Sequence, residues 1–321
     1  MKAVVYDRYG SPDVLGIREV AKPTPKDNEA LIRLHAVSIN DWDWGMLRGK
    51  PFINRLLFGL LKPKHQILGS DIAGKAEVVG NKVEHFQVGD EVIGDLSGLN
   101  WGGFAEYVCA PESRLVKKPA SLTFEQAAAT PQASVLALQG LQDKKQIRPG
   151  DKVLINGAGG GAGSFAIQIA RSFGAEVTGV DGTPKLEKMR EWGAEHVVDY
   201  TRQDFTRLGE RYDLIVDLMG YHSVFDYLRA LSPNGTYVIV GGSTRLLMAV
   251  LLLGPLITLF SQKKMHIIAH KPNKNLDSLL ALIDQGKISP VIARSFSLEK
   301  TADAFRHFSG GQNTGKVIVT I

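Results

Sequence analysis

Lys152-Val153-Leu154-Ile155-Asn156-Gly157-Ala158-Gly159-Gly160-Gly161-Ala162-Gly163 is the stretch on which the fold turns. Its first five residues read as a buried strand. The glycine-rich run leads into a helical stretch, Ser164 to Phe173, with Phe165, Ile167, Ile169, Ala170 and Phe173 as apolar positions. A second strand pattern, Glu176-Val177-Thr178-Gly179-Val180, ends at Asp181. Strand, glycine turn, helix, strand and acid, with about 20 residues between glycines and acid, is the order of a dinucleotide-binding unit. The glycines permit a tight turn, a close approach of backbone N–H groups to a pyrophosphate, and close helix–strand packing. The helix N-terminus offers free N–H groups and the positive end of its dipole to the anion. Gly157, Ala158, Gly160, Gly161, Ala162 and Gly163 are therefore the candidate phosphate contacts, and Asp181 is the candidate ribose contact.

Outward from this unit the chain changes character. Residues 1–122 read as short strands and turns, such as Ala30-Leu31-Ile32-Arg33-Leu34, which predicts an all-β module shaped as a distorted barrel. Residues 123–287 alternate helices and strands. Candidate strands are 152–156, 176–180, 196–199, 212–217, 236–241 and 265–269, with Ser232-Pro233-Asn234-Gly235 as a turn before the fifth. Their crossovers imply a doubly wound parallel sheet, so the fold class is α/β. After a helix near 275–286, residues 288–321 hold a short strand, a helix at 299–308 and a last strand from Lys316, which reads as a return to the first domain.

The 321 residues suffice for two domains, and a net charge of +5 with scattered basic clusters argues against nucleic-acid binding. The single cysteine, Cys109, excludes an intrachain disulfide, fits a reducing compartment such as the cytoplasm, and reads as a buried structural thiol. The chain opens on a strand pattern, Lys2-Ala3-Val4-Val5-Tyr6, rather than a secretory signal. The apolar stretch Leu246 to Phe260 contains Gly254 and Pro255 and is short for a membrane span. It reads as a helix over the active site or at a contact in a homodimer, in preference to a membrane-surface element.

Several stretches carry a resemblance that spans most of the chain: Ala36-Val37-Ser38-Ile39-Asn40-Asp41-Trp42-Asp43, Leu68-Gly69-Ser70-Asp71, Gly89-Asp90-Glu91-Val92, Gly102-Gly103-Phe104-Ala105-Glu106-Tyr107-Val108, the glycine run, and Gly315-Lys316-Val317-Ile318-Val319. With them the sequence resembles the medium-chain dehydrogenase/reductase superfamily, in its zinc-free quinone oxidoreductase-like branch. The resemblance implies an N-terminal GroES-like domain (1–122, completed by 288–321) and a Rossmann domain (123–287). It implies an enzyme that passes hydride from NADPH to a small quinone or α,β-unsaturated carbonyl. Zinc-dependent relatives bind metal through two Cys and one His beside an acid. Here Asn40 stands at the first Cys position and Ser70 at the His position, so no metal is expected.

The resemblance also puts the Asn40-x-x-Asp43 turn beside the nicotinamide, with Asn40 as a donor to substrate oxygen and Asp43 as its orienter or a proton relay. The residues themselves leave open a plain helix cap at both positions. Thr130 lies on the segment that packs under the nicotinamide in relatives, and Gly241-Gly242-Ser243 ends the fifth strand where ligands bind such sheets. At the adenosine end the signs conflict. Asp181 favours NADH, whereas Lys185 and Tyr200, spaced like the pair that grips a 2′-phosphate in relatives, favour NADPH, with Gly182 and Thr183 as further donors. NADPH is favoured and NADH stays open. Two other functions remain: a zinc-free alcohol or aldehyde oxidoreductase, and a non-catalytic dinucleotide-binding redox sensor.

Overall fold

A computed structural model describes the whole chain, Met1–Ile321. It divides into two compact units, one of Met1–Gln132, Pro272–Leu280 and Pro290–Ile321, the other of Ala133–Lys271 and Ala281–Ser289.

The second unit is built on a six-stranded parallel sheet. Its spatial order is His196–Asp199, Glu176–Asp181, Lys152–Asn156, Tyr212–Asp217, Leu231–Ile239 and Lys264–Ile267. The order reverses between Lys152–Asn156 and Tyr212–Asp217, the point at which such sheets take ligands beyond their carboxyl ends. Val153, Leu154, Ile155, Val177, Ile215 and Val216 are wholly buried, as strands covered on both faces must be. The fifth strand starts earlier than its sequence pattern predicts. Ser232-Pro233-Asn234-Gly235 does not precede it but bulges from within it, between the pairs Tyr212–Leu231 and Leu214–Thr236, with Asn234 at φ 63°. A bulge is where a strand tolerates a proline, which has no N–H for the ladder.

The first unit carries a seven-stranded sheet. Ile292–Ser297, Lys316–Thr320, Glu29–Ser38, Asp71–Val79, Glu91–Asp95 and Val116–Lys117 follow one another, and Tyr107–Pro111 pairs with Glu29–Ser38. Ile32, Val37, Ile72, Val92 and Phe104 are buried in its core. The last strand runs antiparallel to Glu29–Ser38, with Ile318 opposite Ser38, so the C-terminus does return to this unit. Two short helices, Asp41–Arg48 and Ile53–Phe58, interrupt the β-module. The second escaped the sequence reading because Ile53, Leu56 and Leu57 are exposed, which leaves no core-facing stripe to detect. Cys109 is half-buried rather than enclosed, and burial pushes its thiol up to about 11.

The apolar stretch of the second unit forms a helix, Thr244–Phe260. Leu246, Val250 and Gly254 are buried, whereas Met248, Leu251, Leu252, Leu256, Leu259 and Phe260 are exposed. No helix is long and apolar enough to cross a membrane.

A buried polar knot ties the central strands together. Tyr237 Oη donates to Asp217 Oδ2 at 2.7 Å, and Asn156 Nδ2 donates to Asp217 Oδ1 at 2.8 Å. Asp217 is fully buried, and burial pushes its carboxyl above the usual carboxylate range. Removing one donor leaves a buried acceptor short of a partner, at a cost of about 2 kcal/mol. Tyr237→Phe is expected to lower Tm by about 4–8 °C. An unchanged Tm in a thermal scan contradicts this role.

Candidate active site

In the second unit the glycine turn has the shape of a phosphate cradle. The helix Gly161–Ser172 follows it, and Gly160 at its N-cap supplies no side-chain cap. Its first-turn N–H groups therefore remain for a ligand. The helix sits hard on the turn: a Cβ on Gly163 would lie 2.4 Å from the carbonyl oxygens of both Gly157 and Ala158. Only glycine fits there. A Cβ on Gly159 would lie 2.5 Å from Cδ of Lys185, whose stem crosses the turn.

The Lys185 side chain also meets Asp181. Asp181 Oδ2 accepts from Gly159 N at 2.9 Å, and Oδ1 accepts from Gly182 N at 2.8 Å. Lys185 Nζ stands 3.3 Å from Asp181 Oδ1, with both side chains mostly buried. The carboxylate thus turns into its own chain, and an ammonium balances it. Thr183 Oγ1 donates to Asp199 Oδ2. Tyr200 is half exposed, and its ring edge lies 3.6 Å from where a Gly182 Cβ would stand. Gly159, Asp181, Gly182, Thr183, Lys185 and Tyr200 therefore gather at one corner of the sheet. A close-packed turn, an uncapped helix start and a neutralised acid fit a dinucleotide carrying an extra phosphate.

Gly241, Gly242 and Ser243 lie just past the fifth strand, where Gly242 pairs with Gly220 and Ser243 Oγ accepts from Leu246 N at 3.3 Å. Ser243 is thus the N-cap of the long apolar helix.

In the first unit the sequence candidates occupy a buried polar cluster. Asp43 takes two backbone N–H groups, Asn40 N to Oδ2 and Gly69 N to Oδ1, each at 2.9 Å. Burial pushes its carboxyl up to about 7. Asp43 is a brace between the Asn40 turn and the strand lead-in at Gly69; its carboxylate makes no contact with the Asn40 amide. Thr130 is also turned inward, with Oγ1 donating to Gln126 O at 2.8 Å.

Asn40 differs from both. It stands with Asp43 in the capping box of the helix Asp41–Arg48, and its amide also reaches beyond the cap. Nδ2 donates to Ser70 Oγ at 3.3 Å, and Oδ1 accepts from Lys316 Nζ. Lys316 was not foreseen as a site residue. It is 5 % exposed, and its ammonium also donates to Ile39 O at 3.3 Å and stands 3.6 Å from Asp71 Oδ2. Asp71 in turn accepts from Ser38 Oγ at 3.0 Å and Gln132 N at 3.1 Å. Burial pushes the Asp71 carboxyl up, and the Lys316 ammonium draws it back. The signal for Lys316 was a lysine opening an otherwise apolar strand, Lys316-Val317-Ile318-Val319.

Residues 26–120 match the family described as alcohol dehydrogenase GroES-like domain, and residues 192–319 match zinc-binding dehydrogenase. The donors present do not fit zinc. An amide, a hydroxyl and one carboxylate stand around an ammonium, and no group of three or more His, Cys, Asp or Glu side chains is placed to hold a metal. Over 99 % of this chain and 98 % of the relative, the sequence is 32 % identical to a chloroplast envelope quinone oxidoreductase homolog of Arabidopsis thaliana. It is 29 % identical to the NADPH-dependent alkenal/one oxidoreductase of the same plant, over 99 % of this chain and 79 % of that one. The solved quinone oxidoreductase from Coxiella burnetii superposes with a TM-score of 0.90 at 28 % identity, covering 100 % of this chain and 99 % of that one. The chain belongs to the medium-chain dehydrogenase/reductase superfamily, in its quinone oxidoreductase-like branch.

Proposed function

We propose that this protein is an NADPH-dependent reductase of quinones and α,β-unsaturated carbonyls that works without zinc. One observation carries the reading: a dinucleotide turn occurs in a chain whose second polar cluster centres on an ammonium instead of a metal. Such a cluster suits negative charge that builds on a conjugated oxygen, where an oriented donor suffices. It is poorly suited to a simple alcohol, whose alkoxide needs a Lewis acid.

In this reading residues 1–122 with 288–321 form the substrate domain and residues 123–287 hold the cofactor. Gly157, Ala158, Gly160, Gly161, Ala162 and Gly163 cradle the pyrophosphate, and Gly241, Gly242, Ser243 and Thr130 shape the nicotinamide end. Lys185 and Tyr200 receive the 2′-phosphate beside Thr183, whose hydroxyl is held by Asp199, and Asp181 holds Lys185 in place. Bound there, NADPH supplies a hydride. Asn40 Nδ2–H donates to the substrate oxygen as charge develops. Asp43 keeps the turn that presents Asn40. Its carboxylate is committed to two backbone N–H groups, so solvent water delivers the proton to the α-carbon. The relatives named for quinone and for alkenal/one substrates support both substrate classes.

The first test is oxidation of NADPH by a panel of quinones, enals and enones, beside reduction of NADP⁺ by simple alcohols; no turnover of the panel, or turnover only of the alcohols with NADP⁺, overturns the reading. Asn40→Ala is expected to slow hydride transfer about 10–150-fold, the kinetic equivalent of one lost hydrogen bond to developing charge. Rates within about twofold of wild type would reduce Asn40 to a turn residue. Lys185→Ala removes a cation from a dianionic phosphate and leaves Asp181 unbalanced. It is expected to weaken NADPH about tenfold or more and NADH much less. Equal losses for the two cofactors, in a fluorescence titration, contradict the assignment.

A further inference from the structure

We infer that Lys316 is a positioning residue, whose ammonium holds Asn40 Oδ1 so that the amide turns nitrogen, not oxygen, toward the substrate oxygen. The inference rests on the reductase reading above.

The placement follows from strand register. Ile318 lies opposite Ser38, and Ile39 N donates to Val317 O at 3.0 Å. Continuing the antiparallel ladder sets Lys316 opposite Asn40, although the two are 276 residues apart in sequence. An ammonium has three donors. Ile39 O and Asn40 Oδ1 accept two of them, and Asp71 Oδ2 pairs with the charge at 3.6 Å. With two donors in hydrogen bonds and its charge paired with Asp71, Lys316 is buried behind Asn40 and acts through it.

The effect passes through Asn40. A free asparagine amide presents oxygen and nitrogen almost equally well, and a flipped amide would put a lone pair against a developing negative charge. A cation donating to Oδ1 forbids the flip. Nδ2 then donates to Ser70 Oγ and toward the Asp71 carboxylate, and a substrate oxygen would compete for one of these hydrogens. Donation by the ammonium also polarises the amide and strengthens its Nδ2–H donors. The same charge compensates Asp71, whose uncompensated carboxylate would oppose an anion forming nearby. Lys316 therefore has two separable jobs, as counter-ion to Asp71 and as orienter of Asn40.

The test separates them. Lys316→Met leaves Asp71 buried without its cation, so a loss of Tm is expected. Lys316→Met/Asp71→Asn removes both charges and is expected to recover most of that Tm. It keeps the NADPH Kd within about twofold while kcat stays at least about tenfold below wild type. In this background Asn40→Ala should cost less than about twofold more, because the amide has already lost its orientation. If the double variant recovers kcat along with Tm, or if Asn40→Ala lowers kcat as much there as in wild type, Lys316 is only a counter-ion and the inference fails. A readout on the protein alone guards against failure of the reductase reading. The Asn40 side-chain amide in ¹⁵N spectra is expected to be protected from exchange in wild type and to exchange freely in the double variant. Free exchange in wild type, or equal protection in both, overturns the inference even if no substrate is ever turned over. If neither Lys316 variant folds, the wild-type spectrum alone decides.

Discussion

A single ammonium organises the polar heart of the first unit. Lys316 enters from the final strand and reaches Ile39 O, Asn40 and Asp71 at once. A buried charge is tolerated only when it is paired and hydrogen-bonded, so the strand that delivers Lys316, the turn that delivers Asn40 and the strand that delivers Asp71 constrain one another. The C-terminal return is therefore more than a topological detail. It carries the cation that holds the most promising functional amide, in a family whose zinc-dependent members place a metal among the equivalent positions.

The second unit solves an opposite problem by similar means. An acid at the end of the second strand would repel a phosphorylated ribose. Here the acid accepts two of its own backbone N–H groups and pairs with Lys185, whose stem lies across Gly159. The negative charge is balanced locally, which suits the phosphate site proposed there. Charge compensation by a lysine is thus used in both units, once at the candidate substrate donor and once at the candidate phosphate site.

Much of this was legible in the sequence. The glycine turn and the strands on either side fall where their patterns put them, because turn chemistry and buried apolar runs are local signals. So does the last strand, Lys316-Val317-Ile318-Val319, which returns to the first unit; its antiparallel pairing shows only in the structure. What stayed hidden depends on tertiary register. Lys316 meets Asn40 through strand pairing, which no short-range periodicity reveals. Lys185 was visible at four residues from Asp181, but its ion pair depends on the direction the carboxylate takes. The bulge at Ser232-Pro233-Asn234-Gly235 reads as an ordinary turn until the neighbouring strand is seen to pair on both sides of it. The helix Ile53–Phe58 has Ile53, Leu56 and Leu57 outside and only Phe58 of its apolar residues packed on the core, so it lacks the stripe that betrays a helix.

The account's central claim is that fixed side-chain charge and a donor amide do at this site what a metal does in zinc-dependent relatives. The most direct measurement is turnover of NADPH with a reactive quinone or enone before and after exhaustive dialysis against a chelator, with metal content determined on the same samples. The account predicts an unchanged rate and no stoichiometric zinc in either sample. A rate that falls with removal of zinc and returns when zinc is restored would contradict it.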